Sequence, residues 1–239
     1  MNLLFDAFAF IFDPANLHGP RGILPRLGDH VFYSGLSLLV AMAIGLPLGL
    51  LIGHTGKGRN IVIALSGAAR ALPTLGLLYF IILFTGLGLW PLVFVLAILA
   101  VPPILAGAYS GLESVNRQTI DAARAVGMTE WQILWKVEIP LGLHLIIGGL
   151  RSAALQVIAT ATIAAYVGLT GLGRFLPEGI VGRDYAMTLA GAILVAGLAL
   201  IVDGALALVQ HIATPRGVSR GVRGSSTPVF RRRAVERTT

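Results

Sequence analysis

Asp121-Ala122-Ala123-Arg124-Ala125-Val126-Gly127-Met128-Thr129-Glu130-Trp131-Gln132-Ile133-Leu134-Trp135-Lys136-Val137-Glu138-Ile139-Pro140 closes a charged stretch that opens at Glu113 and interrupts an otherwise apolar chain. Local rules read this stretch as a helical hairpin. Asn116 can cap a helix through Ala122, Ala123 and Ala125, all good helix formers. Gly127 stands where a left-handed helix terminator belongs, so it reads as the turn. Thr129-Glu130-Trp131-Gln132 has the form of a capping box, and the second helix should carry Trp131, Leu134, Trp135 and Val137 until Pro140 ends or redirects it. Two tryptophans in a polar insert make a large apolar surface that needs a partner protein or the membrane interface.

The sequence on either side explains why such an insert is notable. Of 239 residues, 56% are hydrophobic and only 12% charged, which excludes a soluble globule. There is no cysteine, so no thiolate nucleophile or thiolate metal site can form. Five apolar spans are predicted, about 31–53, 61–84, 90–112, 141–169 and 186–209, each near the ~20 residues a bilayer core requires. The first carries Pro47 and glycines at 45, 49 and 53; the second holds Arg70 and Pro73, and its uninterrupted part begins near Ala71; the third holds Pro102-Pro103. Kinks are expected near 73 and 102. The chain thus divides into an N-terminal interfacial segment, 1–30, a transmembrane region, 31–210, with the polar loop 113–140, and a basic tail, 211–239, expected to be disordered.

Orientation follows from lysine and arginine. With the 113–140 loop in the cytoplasm, that side holds Lys57, Arg59, Arg117, Arg124, Lys136 and seven tail arginines, against Arg21, Arg26, Arg174 and Arg183 outside. The N-terminus is then outside and the C-terminus inside. Residues 2–12 lack the basic flank of a signal peptide and are too short to span, which suits an amphipathic helix on the outer interface, with a sixth span as the alternative. The net charge of +7 lies mostly beside apolar runs or in the tail, so lipid headgroups and topology account for it without nucleic acid.

With these features assembled, the loop resembles the EAA loop of bacterial ABC importer permeases: Glu-Ala-Ala, a glycine four residues after the last alanine, then hydrophobic-x-hydrophobic-Pro. Asp121-Ala122-Ala123, Gly127 and Val137-Glu138-Ile139-Pro140 match in spacing, with Asp121 keeping the charge of the usual Glu on a shorter side chain. The resemblance implies an all-α, five-span permease core of the methionine-permease type. It also implies that the hairpin docks on a separate ATP-hydrolysing subunit, which makes Asp121, Ala122, Ala123, Gly127, Trp131, Trp135 and Pro140 coupling candidates. ATP and Mg would belong to that partner; this chain would bind no cofactor. Further partners implied are a second permease, the same or a paralogous chain, two ATPase subunits in all, and an extracytoplasmic substrate-binding protein. The implied location is the bacterial cytoplasmic membrane.

From about His30 to Gly217 the chain looks most like the permeases of osmoprotectant importers for glycine betaine, choline, carnitine or proline. Leu72 to Leu78, Ala159 to Ala165, Gly168 to Gly173, Asp203 and Ala213 to Gly217 carry that likeness. Methionine and sulfonate permeases share parts of it, and permeation of such a solute is the alternative; an ion-gradient-driven transporter is a further one.

Polar residues inside spans mark where a pathway or a buried pair is to be sought. Gln156 and Thr160 share one face of the fourth span and could line a path, although hydrogen bonding between helices rich in small residues is the plainer reading. Asp203 calls for a cation, either Arg151 or Arg70. Arg70, three residues before Pro73, stands where the similar permeases carry a neutral polar residue, and a fixed positive charge there would repel choline more than betaine. No catalytic constellation is present. Gly53-His54-Thr55-Gly56-Lys57-Gly58 lacks phosphate-loop spacing, and the five histidines make no metal-ligand pattern.

Overall fold

A computed structural model of the chain describes residues 2–60, 62, 64, 67 and 73–214. Among these residues there is helix and turn but no strand. In chain order the elements are α1 (Leu3–Phe12), α2 (Pro14–Leu17), α3 (Ile23–Thr55), α4 (Thr74–Thr85), α5 (Leu89–Glu113), α6 (Arg117–Ala125), α7 (Glu130–Ile133), a π turn (Leu134–Glu138), α8 (Ile139–Thr160), a 3-10 stretch (Ala161–Val167), a 3-10 turn (Leu172–Arg174), α9 (Phe175–Gly182) and α10 (Tyr185–Ala213). Among the described residues, four runs are long and apolar enough to cross a membrane: α3, α5, Glu130–Val167 and α10. The sequence predicts a fifth at 61–84. Of it the structure describes chiefly α4, whose 12 residues fall short of a bilayer core. Pro73 is the N-cap of this helix. Pro102 and Pro103, by contrast, lie inside the unbroken α5. Arg70 and the tail beyond Thr214 lie outside the described residues.

The helix that carries the first predicted span begins at Ile23, eight residues before that span's predicted start at 31. Hydropathy stops short there because Arg26, Asp29 and His30 look like water-facing residues. The fold buries two of them with partners. Arg26 donates from Nη2 to Glu178 Oε2 at 2.8 Å, and its guanidinium carbon lies 4.2 Å from the centre of the Phe175 ring. His30 Nε2 meets the Ile158 carbonyl at 3.0 Å. Both contacts reach more than a hundred residues along the chain.

Helix α5 is the axis of the bundle, with Leu92, Leu96, Ala100 and Ile104 in one core cluster with Ala153 and Val157 of α8 and Ala41 of α3. Glycine allows the close approach. Gly45, Gly49 and Gly53 recur every fourth residue of α3, and a Cβ on Gly49 would stand 2.6 Å from the Ala108 Cβ. On the other flank, Gly107 and Gly111 of α5 meet Gly149 and Gly142 of α8, where a Cβ on Gly107 would lie 2.6 Å from the Gly149 Cα. In hydrocarbon there is no hydrophobic drive between spans, so this backbone proximity and its dispersion contacts hold the three helices. Helix α10 is peripheral and packs through Ala190, Gly191 and Val195. Helix α1 adds an edge-on contact between Phe10 and Phe175, ring centres 5.9 Å apart.

Candidate functional site

The polar insert folds as two helices joined at Gly127. Asn116 accepts the Gln118 amide at 2.8 Å and so caps α6. Gly127 takes φ +85°, the left-handed region a side chain resists, and the Met128 amide bonds back to the Ala123 carbonyl at 3.1 Å. Thr129 and Gln132 make a reciprocal capping box, with the Thr129 amide donating to Gln132 Oε1 at 3.0 Å. Val115, Ile120, Ala123 and Ile133 form a small core that closes the hairpin.

Of the two outcomes expected at Pro140, an end or a change of course, the structure has the second. The proline's missing N–H deprives the Lys136 carbonyl of an α-helical donor, and the chain widens into the π turn, whose closing bond runs from the Ile139 amide to the Leu134 carbonyl. The hairpin therefore continues directly into α8. Ala122 and Ala123 also part company: Ala122 is exposed, whereas Ala123 is buried in the hairpin core.

The large apolar side chains that the hairpin leaves exposed are Val126, at 78%, Trp131, at 68%, and Trp135, at 51%. The two indoles meet edge to face with centres 5.6 Å apart and so make one continuous apolar surface. Val126 was not among the sequence candidates; its place directly before the turn glycine, where a helix end leaves a side chain uncovered, was the available signal. Asp121 is exposed and accepts from Arg124 at 3.2 Å.

A charged relay joins the hairpin to the end of α3. Arg124 donates from Nε and Nη2 to Glu130 at 2.7 and 3.1 Å. These hydrogen bonds hold the Glu130 carboxyl below the usual carboxylate range, with the charges of Arg124 and His54 adding to them. His54, near the end of α3, lies with Nε2 3.5 Å from Glu130 and with Nδ1 in hydrogen-bond contact with Glu138, a buried residue of the π turn. Neither His54 nor Glu138 stood out in the sequence, since nothing local joins residues so far apart.

The polar residues of the spans separate into two places. Arg151 of α8 holds Asp203 of α10 through two parallel bonds, 2.8 and 2.9 Å, and its Nη1 donates to Gln210 at 2.7 Å. Gln210 in turn donates to the His144 carbonyl at 2.7 Å. Each helix contributes a pair at seven-residue spacing, His144 with Arg151 and Asp203 with Gln210, so the antiparallel helices match polar group to polar group. Gln210 and His144 could have been found by that shared spacing. Gln156 and Thr160 are half-buried and lie elsewhere, since five residues from Arg151 turn Gln156 onto another face of α8.

At the bundle end opposite the hairpin, Glu178 accepts from both Arg26 and Arg174, at 2.8 and 2.9 Å. Burial alone would raise its carboxyl, but the two arginine hydrogen bonds and charges bring it below its ordinary value.

A bundle of apolar spans with a capped helical hairpin running into one of them agrees with comparisons to known proteins. The profile of the family described as binding-protein-dependent transport system inner membrane component matches residues 45–211. The chain belongs to this family. Its membership makes the chain a multi-pass inner-membrane component of a binding-protein-dependent transport system. Among curated relatives, it is 36% identical over 204 residues to the carnitine transport permease protein OpuCB of Listeria monocytogenes, covering 85% of this chain and 94% of that one. It is 32% identical to the glycine betaine/carnitine/choline transport system permease protein OpuCB of Bacillus subtilis, covering 82% and 90%. To the osmoprotectant import permease protein OsmW of Salmonella typhimurium it is 34% identical, covering 80% and 91%. A chain from inward-facing structures of the MetNI methionine ABC transporter superposes with a TM-score of 0.71 at 23% identity, covering 80% of this chain and 96% of that one, and so shares the fold.

Proposed function

We propose that the chain is the permease subunit of an ATP-driven importer for a small osmoprotectant of the glycine betaine, carnitine, choline or proline class. The observation that carries this reading is the 36% identity that extends over 94% of a carnitine permease. The likeness to the methionine transporter supports the architecture alone. The substrate is recognised first by a separate binding protein and passes along a path formed with a second permease, the same chain or a paralogue.

The hairpin faces the cytoplasm, with the N-terminus outside and the C-terminus inside, a topology supported by twelve basic residues on the hairpin side against four on the other. Two ATPase subunits, which bind ATP and Mg, grip the hairpins. This permease contributes the docking surface and carries out no hydrolysis. The exposed Val126, Trp131 and Trp135 suit a groove, because aromatic anchors in a dehydrated pocket carry most of the energy of such contacts. Closure of the ATPase pair displaces the hairpin. The π turn passes that displacement into α8, and the glycine contacts of α5 distribute it as a rigid-body tilt.

Uptake tests the substrate class. Membrane vesicles containing the permease, its ATPase and its binding protein, given labelled glycine betaine, carnitine, choline, proline and methionine in turn, are expected to accumulate one or more of the first four and not methionine. Accumulation of methionine alone would contradict the reading.

A further inference from the structure

We propose that His54 is a positioning residue for energy coupling: it ties the cytoplasmic hairpin to the end of α3, so that displacement of the hairpin drives the first long span as well as α8. The proposal rests on the reading of the hairpin as the ATPase dock and adds to it a second line of transmission.

Three observations carry it. Glu138 is buried in the π turn, where a carboxylate without a partner is strongly disfavoured, and among the described residues its side chain is held by His54. The same imidazole presents its other nitrogen to Glu130, which Arg124 already grips through two bonds. One side chain from α3 thus touches the π turn and α7, and through Glu130 and Arg124 reaches α6. Every segment of the hairpin is attached to α3 through that ring. Finally, α3 cannot move freely of α5 in this region, because Gly49 and Gly53 bring the two backbones together just before His54. Displacement received at His54 therefore enters the packed α3 and α5 pair at its cytoplasmic end.

The two ring nitrogens have separate tasks, and side-chain amides distinguish them. His54→Asn keeps a donor near the Nδ1 position and so keeps Glu138, while losing the arm to Glu130. His54→Gln does the reverse, and His54→Ala loses both. The contact with the buried Glu138 is the short one, so it is the arm that transmits.

The test uses the complete complex of permease, ATPase subunits and binding protein in proteoliposomes, with glycine betaine as the probe. Two quantities are read: ATPase retained per permease on purification, and glycine betaine taken up per ATP hydrolysed. His54→Ala and His54→Gln are expected to retain the ATPase yet to lower uptake per ATP by about fivefold or more, within the range found for residues that carry coupling. His54→Asn should restore uptake per ATP to nearly that of the unaltered chain. An Ala variant that couples normally, or an Asn variant as poor as Ala, overturns the proposal. Failure of the underlying reading looks different: there the unaltered complex takes up no glycine betaine, or the ATPase stays bound when Val126 and Trp131 are replaced.

Discussion

Arg151 and Asp203 face each other across α8 and α10 with both guanidinium bonds made, 2.8 and 2.9 Å, inside predominantly apolar helices. The pair selects one register of α10 on α8, and Gln210 reinforces it from one end. Arg151→Gln and Asp203→Asn should each lower the thermal midpoint of the detergent-purified protein. The double variant should lose less than the sum, because the second change removes a group already without its partner. Strictly additive losses would mean that the two groups act independently.

Close packing makes the glycines of α3 unequal. Gly49→Val introduces bulk where the Ala108 Cβ leaves only 2.6 Å, and overpacking of that kind costs about 1–3 kcal/mol. Gly35→Ala meets nothing within 4 Å and sits inside the same helix, where the change should be neutral or stabilise by about 0.5–1 kcal/mol. Melting curves of the two variants should move apart; a shared direction would remove the account of the α3 and α5 contact.

At the hairpin turn, open space surrounds Gly127, so substitution there acts through the backbone alone. Gly127→Ala forces a side chain into φ +85° and should cost about 1–2 kcal/mol, whereas Gly127→Asn should cost less. Hydrogen exchange of the α6 amides reports the difference, with faster exchange expected in the Ala variant.

Acid sensitivity is expected at the opposite end. The Glu178 carboxyl is lower in the folded protein than in the unfolded chain, so its contribution to stability is present above the ordinary carboxylate value of about 4.3 and is lost as pH falls through the lowered one. Glu178→Gln should flatten the fall in thermal midpoint over that acid window while lowering stability near neutrality. An unchanged slope would show that Arg26 and Arg174 do not stabilise the carboxylate.

Sequence was most informative where the determining interactions are local. Asn116, Gly127 and the Thr129 with Gln132 pair announce the hairpin because capping is decided within four residues. The glycines at 45, 49 and 53 announce close packing by their spacing. Hydropathy does not show that α3 starts ahead of residue 31, because Arg26 and His30 are buried with partners supplied by Glu178, Phe175 and Ile158, which no local window contains. Pro140 left two outcomes open for a related reason: a missing amide can end a helix or be absorbed by a π turn, and local sequence does not choose between them. The charge on Asp203 required a cation, yet only the fold decides that Arg151 meets it among the described residues. Likewise, Ala122 and Ala123 look alike in sequence, and their different burial depends on where Ile133 and Val115 arrive.

The central claim is that Val126, Trp131 and Trp135 make the surface on which an ATPase subunit docks, and it is most directly tested by measuring how much ATPase copurifies with the permease. Val126→Asp combined with Trp131→Ala changes only exposed side chains, so the permease should still assemble in the membrane. Losing an aromatic anchor at about 2 kcal/mol or more, with an added charge, predicts that bound ATPase falls at least about thirtyfold. ATPase recovered in undiminished amount with that variant would contradict the account.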